Sequence, residues 1–485
     1  MMKHSENKRI IILLAGLVLL FLSCIIYLTY FYFFQAEEVK RNPANRRGYI
    51  EEAQIKRGDI YDRNGEVLAT SKGEPGNYHR EYAYPILYSH IIGYCHPSLG
   101  KSGLESSYND YLLNRNGNRT LKAISDMIRS KKQDGNSLIL TIDTQVQSKA
   151  RELLEENTEK GSIVVMNPKT GEVYAMVSLP DFSSSTIAQD WNALQKNESG
   201  ALLNRSINGR YPPGSTFKVI TAASLLGQDR IGLNYEDTGS QVVDGREFKN
   251  AEGAQYGNVD LREALAKSIN TYFVDKGSKL GKDTLGGTAD KFYFNSKVPF
   301  DLPVSVSVFD YKTNLPKTTL AASAIGQGDV LATPLHMAMV ASAVANDGKM
   351  MAPILVKEVE DSKGSAIEEK EPKVLSEATT PDIANTLTKY MISVVEDGTG
   401  RRAALNSTQV AGKTGSAENA SGENHAWFIG FAPAKDPQIA VAVILEQAGK
   451  SGGSVAAPIA RDIIVYALNN IDFNQAHDLP ESDDD

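Results

Sequence analysis

Ser215 and Lys218 have the residue types and the spacing for nucleophilic chemistry. They follow a Tyr-Pro-Pro-Gly sequence at residues 211–214 and precede an apolar run at residues 219–226. The prolines and the glycine interrupt the backbone, so the run predicts a helix with Ser215 at or near its N-terminus, where free N–H groups favour negative charge. The spacing of three places Lys218 on the same face. A serine needs a nearby base, and a buried, neutral lysine can serve.

The Ser-x-x-Lys pattern alone is weak, because it also occurs at residues 5–8 and 98–101. Two further triplets, Ser268-Ile269-Asn270 and Lys413-Thr414-Gly415, follow Ser215 in the chain. Other Ser-x-Asn copies begin at residues 5, 107 and 206, and a second Lys-Thr-Gly copy at residue 169 lies in a predicted hairpin turn. Only one choice of copies gives the three motifs in order on a helix, a loop and a strand. This ordered set is specific where its members are not.

The hydrophobic pattern predicts the elements that position these motifs. A helical pattern at residues 261–267 ends at Ser268, and an extended run ends at a helix capped by Asp143 or Thr144. Strands are predicted at residues 162–166, 172–177, 409–416, 426–431 and 439–445, and a closing helix at residues 457–469. Strands divided between both ends of this sequence, with a mostly helical middle, predict one large α+β domain at residues 143–472.

The N-terminal region predicts a membrane anchor. Residues 10–36 carry no charged side chain, and this uncharged segment is long enough to cross a bilayer with some tilt. The run is too long for the apolar core of a cleaved signal, and no small-x-small cleavage site follows it. Residues 1–9 are then cytoplasmic and the catalytic domain lies on the outer face of a cell membrane, because long C-terminal domains translocate largely regardless of flanking charge.

Residues 37–142 predict a small, extended, β-rich module, called the pedestal domain below, between the anchor and the large α+β domain. Within it, residues 57–69 have the pattern of a strand, an Asn-Gly turn and a second strand, and a short helix is predicted from Gly103. Residues 473–485 are rich in acidic side chains and predict a disordered tail.

Composition argues against several classes of protein. The formal net charge of −8, without a compensating basic face, argues against nucleic-acid binding. The two cysteines supply neither a disulfide framework nor a thiol metal site. His336 and His425 lack the partner spacing of metal ligands, and Trp427 and Phe428 alternate like core residues of a strand. We therefore predict no metal and no cofactor.

With these motifs, the chain resembles the class B penicillin-binding proteins, the membrane-anchored D,D-transpeptidases of bacterial cell-wall synthesis. The resemblance covers nearly the whole chain and is carried by residues 57–65, 204–218, 326–335 and 425–430. Two features depart from the family pattern. Ser416 stands where the family more often has threonine, which keeps a hydroxyl, and the region between anchor and catalytic domain is short, as in the smaller members.

The resemblance implies the penicillin-binding transpeptidase fold, a five-stranded antiparallel sheet flanked by helices, with a helical subdomain. It also implies that Ser215 is the acylated nucleophile and that Lys218 is its base. Ser268 would relay protons, and Asn270 would hydrogen-bond the peptide backbone of the substrate. A second peptide's amine would attack the acyl-enzyme and form a cross-link.

The resemblance further implies a substrate site along the Lys-Thr-Gly strand. Lys413 and Thr414 would hold the terminal carboxylate of a stem peptide that ends in D-Ala-D-Ala, and Gly415 and Ser416 would border it. The backbone N–H groups of Ser215 and Ser416 would form the oxyanion hole, where one donor is typically worth about 3–4 kcal/mol. β-Lactam antibiotics would acylate the same serine, and a polytopic membrane glycosyltransferase would be the partner.

Four other functions are compatible with parts of this pattern. A serine β-lactamase shares the three motifs, but it would be released and would need fast deacylation. A D,D-carboxypeptidase differs only in whether water or an amine attacks the acyl-enzyme, and the sequence leaves that open. A β-lactam sensor would need an output domain larger than nine cytoplasmic residues. An inactive scaffold would keep its function in cells after Ser215→Ala, whereas a transpeptidase would lose cross-linking.

Overall fold

The computed structural model of the protein describes residues 3–35, 52–116, 134–418 and 422–473. The predicted acidic tail lies outside these ranges, apart from its first residue, and so does the first part of the predicted pedestal domain.

The strands are β1 (Ile60–Tyr61), β2 (Val67–Lys72), β3 (His79–Tyr82), β4 (Cys95–His96), β5 (Gly100–Lys101), β6 (Ser137–Leu140), β7 (Gly161–Met166), β8 (Val173–Leu179), β9 (Tyr235–Asp237), β10 (Ser240–Val243), β11 (Arg246–Lys249), β12 (Gly257–Val259), β13 (Val308–Phe309), β14 (Val330–Leu331), β15 (Lys349–Met351), β16 (Val356–Glu360), β17 (Ala366–Glu369), β18 (Val374–Glu377), β19 (Ala411–Ala417), β20 (His425–Ala432) and β21 (Ile439–Leu445). The helices are α1 (Lys3–Tyr30), α2 (Gly103–Ser107), α3 (Asn109–Leu112), α4 (Thr144–Glu155), α5 (Ile187–Lys196), α6 (Arg205–Asn208), α7 (Lys218–Leu226), α8 (Leu261–Lys267), α9 (Asn270–Leu280), α10 (Lys282–Lys291), α11 (Lys317–Ser323), α12 (Pro334–Ala345), α13 (Pro381–Glu396) and α14 (Gly452–Asn470).

A five-stranded antiparallel sheet organises the catalytic part of the chain. Its strand order is β19-β20-β21-β7-β8, so that β7, from the start of this part of the chain, pairs with β21, from its end. Side chains alternate between its faces: Val441 and Val443 belong to the apolar cluster that includes α4 and α14, while Ala442 and Ile444 belong to the cluster that includes α7 and α12. Both faces are therefore buried, which explains why these strands are almost continuously apolar. The predicted fold is confirmed.

The closing helix, α14, begins at Gly452, five residues before its predicted start at residue 457. Pro458 lies inside this helix and has no N–H to donate to the carbonyl of Ser454, one turn earlier. Arg402 Nη1 donates to Ser454 O at 2.9 Å instead. The helix therefore continues through the proline because a residue distant in sequence satisfies the carbonyl that the proline leaves free.

The N-terminal helix α1 continues as a π-helical turn over Phe31–Gln35. Within α1, Ile10–Tyr30 is long and apolar enough to cross a membrane, with a mean hydropathy of 3.0, and none of that segment is buried against the rest of the protein. This apolar segment lies within residues 10–36, which the sequence predicts as the membrane anchor.

The pedestal region is built around a six-stranded sheet with the order β17-β16-β6-β1-β2-β3. Two of its strands, β16 and β17, come from the middle of the segment predicted as the catalytic domain. The predicted strand-turn-strand is present as β1 and β2, and its turn contacts the catalytic part through Asp62. This buried carboxylate accepts hydrogen bonds from Asn64 N at 2.8 Å, Glu66 N at 2.9 Å and Thr144 Oγ1 at 2.8 Å. Thr144 is the first residue of α4, so the turn is tied to the start of that helix.

Candidate active site

Ser215 lies on a 3₁₀ turn, Gly214–Phe217, that leads directly into α7. Backbone hydrogen bonds in both directions between Tyr211 and Ala332, at 3.0 and 2.8 Å, fix the chain before the turn. Gly214 has a φ of 53°, a conformation that glycine adopts without strain, and its N–H donates to Gly326 O at 2.9 Å. The turn therefore presents the partly exposed Ser215 in front of the helix, as the sequence predicts.

Lys218, the first residue of α7, is completely buried. Its Nζ donates to Asn270 Oδ1 at 2.7 Å, to Ser268 O at 2.8 Å and to Ser268 Oγ at 3.3 Å. Burial and, to a smaller extent, the nearby Lys413 lower the pKa of Lys218 well below its usual value. In the described part of the chain, no hydrogen bond joins Lys218 to Ser215 Oγ. Catalytic hydrogen bonds often form only once substrate is bound.

Ser268 and Asn270 occupy the junction between α8 and α9. Ser268 follows the last residue of α8 in a left-handed conformation with φ 60°, which is uncommon for a residue with a side chain. Asn270 is the first residue of α9, and its Nδ2 donates to Lys249 O at 2.9 Å while its Oδ1 faces Lys218. The sharp reversal at Ser268 is what turns both polar side chains towards the two lysines.

Lys413 reaches the same cluster from β19, the edge strand of the five-stranded sheet. It is fully buried, and its Nζ donates to Ser268 Oγ at 2.9 Å and to Thr414 O at 3.0 Å. Burial lowers the pKa of Lys413 to about 7. The Ser268 hydroxyl therefore lies between two buried lysines, Lys218 on one side and Lys413 on the other.

The nucleophile turn packs directly against β19 at Gly415 and Ser416. A Cβ atom at Gly415 would lie 3.0 Å from Pro213 O, and one at Gly214 would lie 2.7 Å from Ser416 O. This close approach brings the backbone of Ser416 next to the turn that carries Ser215. On the same strand, Thr414 Oγ1 lies 2.6 Å from Thr399 Oγ1.

Several residues of the site's surroundings carry no signal in the sequence motifs. Thr399, which contacts Thr414, and Lys249, whose carbonyl holds the Asn270 amide, belong to loops or strand ends distant from the motifs. Local patterns do not reveal such contacts, because only the tertiary fold creates them.

The other singled-out aromatic and histidine residues lie in the core. Trp427 and Phe428 are fully buried on opposite faces of the sheet, so their interpretation as core residues is confirmed. Burial lowers the pKa of His336 to about 4, and its Nε2 lies 2.7 Å from Phe292 O. His425 packs its ring 5.4 Å from that of Tyr211.

The site combines a serine on a tight turn, two lysines with lowered pKa values, a bridging serine and the edge strand β19. This fold and this site define a serine-type acyl transferase. The family described as the penicillin binding protein transpeptidase domain matches residues 161–465. The chain belongs to this penicillin-binding protein family, which confirms the resemblance found in the sequence. The penicillin binding protein A dimerisation domain family matches residues 57–138.

Relatives with established names cover nearly the whole chain. The peptidoglycan D,D-transpeptidase PbpA of Mycolicibacterium smegmatis is 33% identical over 96% of this chain and 99% of its own length. A solved structure of penicillin-binding protein A from M. tuberculosis, a ceftriaxone acyl-enzyme complex, has a TM-score of 0.81 at 31% identity, covering 86% of this chain and 100% of that one. The D,D-transpeptidase domain of a peptidoglycan glycosyltransferase from Eggerthella lenta has a TM-score of 0.78 at 34% identity, covering 86% and 99%.

Proposed function

We propose that this protein is a peptidoglycan D,D-transpeptidase in which Ser215 is acylated by stem peptides that end in D-Ala-D-Ala, and by β-lactams. The observation that carries the proposal is the position of Ser268 Oγ, 3.3 Å from Lys218 Nζ and 2.9 Å from Lys413 Nζ, where Lys218 directly follows the turn that holds Ser215. Three distant pieces of chain thus converge on one point, in the arrangement that serine acyl transfer requires.

Lys218 is the proposed base. When it is neutral, its two N–H groups have two oxygen acceptors, Asn270 Oδ1 and Ser268 O, so its lone pair is free to accept the Ser215 proton. The Ser215 oxygen then attacks the carbonyl carbon of the penultimate D-Ala. As the tetrahedral intermediate breaks down, the proton passes through Ser268 Oγ to the leaving D-Ala amine. An amine of a second stem peptide attacks the resulting ester, its proton passes to the departing Ser215 oxygen, and the free enzyme is regenerated.

The charges of the substrate and of the intermediate have their own proposed partners. The N–H groups of Ser215 and Ser416 stabilise the oxyanion, supported by the contact between the nucleophile turn and β19. Lys413, together with Thr414, holds the terminal carboxylate, and Gly415 leaves room for the peptide beside the edge strand. A carboxylate next to Lys413 restores its positive charge, because an opposite charge raises the pKa of a buried lysine.

We also propose the organisation and the topology of the chain. Residues 1–9 lie in the cytoplasm and residues 10–36 span the cell membrane. Residues 37–142 form the pedestal, together with β16 and β17, residues 143–472 otherwise form the catalytic domain on the outer face, and residues 473–485 form the tail. A polytopic membrane glycosyltransferase supplies the glycan strands. The apolar, unburied Ile10–Tyr30 segment supports the anchor. An alkaline phosphatase fused to the C-terminus should be active in cells, and an inactive fusion would contradict this topology.

The reaction is tested with a purified stem pentapeptide donor and an excess of amine acceptor. A transpeptidase gives a cross-linked product with release of one D-Ala per link, and Ser215→Ala gives none. A tetrapeptide without cross-linked product would show a carboxypeptidase. Rapid hydrolysis of a β-lactam, without a persistent adduct, would show a β-lactamase.

A further inference from the structure

A buried carboxylate, Asp237, lies behind the loop that carries Ser268 and Asn270. Asp237 is 3% exposed, at the end of β9. It accepts hydrogen bonds from Thr271 Oγ1 at 2.5 Å, Tyr256 N at 2.8 Å, Asn250 Nδ2 at 2.9 Å and Gly239 N at 3.2 Å. Burial opposes ionisation of Asp237, but these donors outweigh it and hold its pKa below the usual value.

Two of these donors lie next in the chain to the two residues that the Asn270 amide contact joins, Asn270 and Lys249. Thr271 directly follows Asn270, and Asn250 directly follows Lys249. Asn250 Oδ1 also accepts from Thr271 N at 3.1 Å, so the two donors are joined to each other as well as to Asp237. In the peptide unit between Lys249 and Asn250, the N–H donates to Gly239 O at 3.1 Å, and the carbonyl accepts from Asn270 Nδ2 at 2.9 Å.

The orientation of the Asn270 amide follows from these contacts. Its NH₂ group must face the Lys249 carbonyl, which leaves Oδ1 facing Lys218 Nζ at 2.7 Å. The reversed amide would place two oxygens against each other at Lys249 and an N–H donor against the lysine amine. Lys218 would then lose one of the two oxygen acceptors for its N–H groups, and the orientation of its lone pair would no longer be fixed.

We propose that Asp237 is a positioning residue for acylation, which acts through Asn250 and Thr271 to fix the orientation of the Asn270 amide. It touches neither substrate nor nucleophile. The inference rests on the proposed function, because it assigns Asp237 a part in activating Lys218 as the base.

The test is the pH dependence of acylation of the full-length protein by penicillin G, followed by intact-protein mass. Asp237→Asn puts an NH₂ group among hydrogen-bond donors, so at least one of them loses its acceptor. We expect the maximal acylation rate to fall about tenfold. We also expect the acid limb of the profile to move to lower pH, because a lost oxygen acceptor destabilises the charged form of Lys218 and lowers its pKa.

A second pair of variants covers the case in which Asp237→Asn does not fold. Thr271→Val removes the hydroxyl that donates to Asp237 with little change in shape, and Thr271→Ser restores it. We expect Thr271→Val to show both the slower acylation and the shifted acid limb, and Thr271→Ser to recover both.

Asp62→Asn is the matched control. Asp62 is also buried and also accepts hydrogen bonds from backbone N–H groups and from a threonine hydroxyl, but it lies in the pedestal turn. The Asp62→Asn variant should have a lower melting temperature than the wild type, but the acid limb of its acylation profile should not move. The inference is overturned if the Asp237 and Thr271 variants keep the wild-type limb, or if Asp62→Asn shifts it equally. Wild-type protein that acquires no penicillin would instead contradict the proposed function.

Discussion

Lys218 and Lys413 have opposite requirements in the proposed reaction. Lys218 must be neutral to accept the Ser215 proton, whereas Lys413 must be charged to hold a carboxylate. Burial lowers the pKa of both lysines, and for Lys413 to about 7. The Ser268 hydroxyl between them accepts from Lys413 Nζ, while the N–H groups of Lys218 have Asn270 Oδ1 and Ser268 O as acceptors, so the two charge states can differ.

The opposite charge requirements of the two lysines predict a bell-shaped pH profile for kcat/KM of β-lactam acylation. The rate should rise as Lys218 loses its proton and fall again as free-enzyme Lys413 loses its charge, with the alkaline limb near pH 7. In Lys413→Arg the guanidinium stays charged, so the alkaline limb should move well above that of the wild type even if the maximal rate is lower. The profile is measured by stopped-flow fluorescence. Superimposable alkaline limbs would contradict the role of Lys413.

Removal of the proposed base has a large expected effect. Lys218→Met keeps an unbranched side chain, one atom shorter, but provides no amine, so acylation should slow by about 10²–10⁴-fold, the usual contribution of a general base. Lys276→Met is the matched control, because Lys276 is also buried and its Nζ also donates to carbonyl oxygens, Gly232 O at 2.6 Å and Asn234 O at 2.8 Å. Acylation is followed by the appearance of drug mass. A rate within tenfold of wild type for Lys218→Met would exclude Lys218 as the base.

At the scale of elements, the site depends on how tightly a turn, a loop and a strand approach one another. Gly326 has a φ of 71°, and a Cβ atom there would lie 2.1 Å from Gly214 O in the nucleophile turn. No side chain fits between these two pieces of backbone. The positions of Ser215 and β19 therefore rest on backbone contacts as much as on side chains.

Gly326→Ala should displace the nucleophile turn. We expect acylation to slow by about 100-fold or more, because the new methyl group collides with the backbone that carries Ser215 and displaces it. Gly281→Ala is the control: Gly281 has a similar φ of 79° but nothing within 4 Å of its Cβ position. Because φ 79° with ψ 159° is a conformation almost exclusive to glycine, this variant should cost about 1–3 kcal/mol of stability from its backbone alone and leave acylation unchanged. Acylation rate and melting temperature are measured for both. Equal acylation rates in the two variants would contradict the account.

The sequence predicts elements well where the signal is local. The strands of the catalytic sheet, the Asp143 cap of α4 and the end of α8 before Ser268 all agree with the hydrophobic pattern and with the capping residues. The predicted start of α14 was wrong. Pro458 leaves the carbonyl of Ser454 without its helical donor, and Arg402, 52 residues away from Ser454, donates to it instead. A proline pattern cannot indicate such a distant donor.

The site was predictable to the same extent. The three motifs are short and local, so their residues can be found in the sequence and ordered along it. The support of Asn270 by Asp237 and Asn250 is not local, because 33 residues separate Asp237 from Asn270 and only the fold brings them together. The left-handed backbone of Ser268 also has no signal, since this conformation is more usual for glycine or asparagine.

At the scale of the whole molecule, the pedestal is held together by charged residues that point inwards. Glu105 is fully buried, and its carboxylate pairs with Arg57 Nε and, at 2.6 Å, with Arg80 Nε. Burial opposes its ionisation, but the two guanidinium groups outweigh burial and hold the pKa of Glu105 below its usual value. These pairs join the chain before β1, the strand β3 and the helix α2.

Glu105→Gln should destabilise the protein by about 3–5 kcal/mol, because it leaves two buried guanidinium groups without their counter-charge. The difference from wild type should shrink as the pH falls, since a carboxylate with a lowered pKa contributes its stability above the unfolded-state pKa and loses it on acidification. Glu81→Gln is the control, because its pair with His79 is exposed, and it should stay within about 0.5 kcal/mol. Urea unfolding at pH 7 and pH 4 measures both. A pH-independent loss, or equal losses in the two variants, would contradict this.

The most direct test of the central claim is to locate the acyl group after reaction with penicillin G. The purified protein is analysed by intact mass and then by peptide mapping. The account predicts one drug mass that persists for hours on the peptide containing Ser215, and none in Ser215→Ala. An adduct on another residue, such as Ser268, or the absence of any adduct on the folded wild-type protein would contradict it.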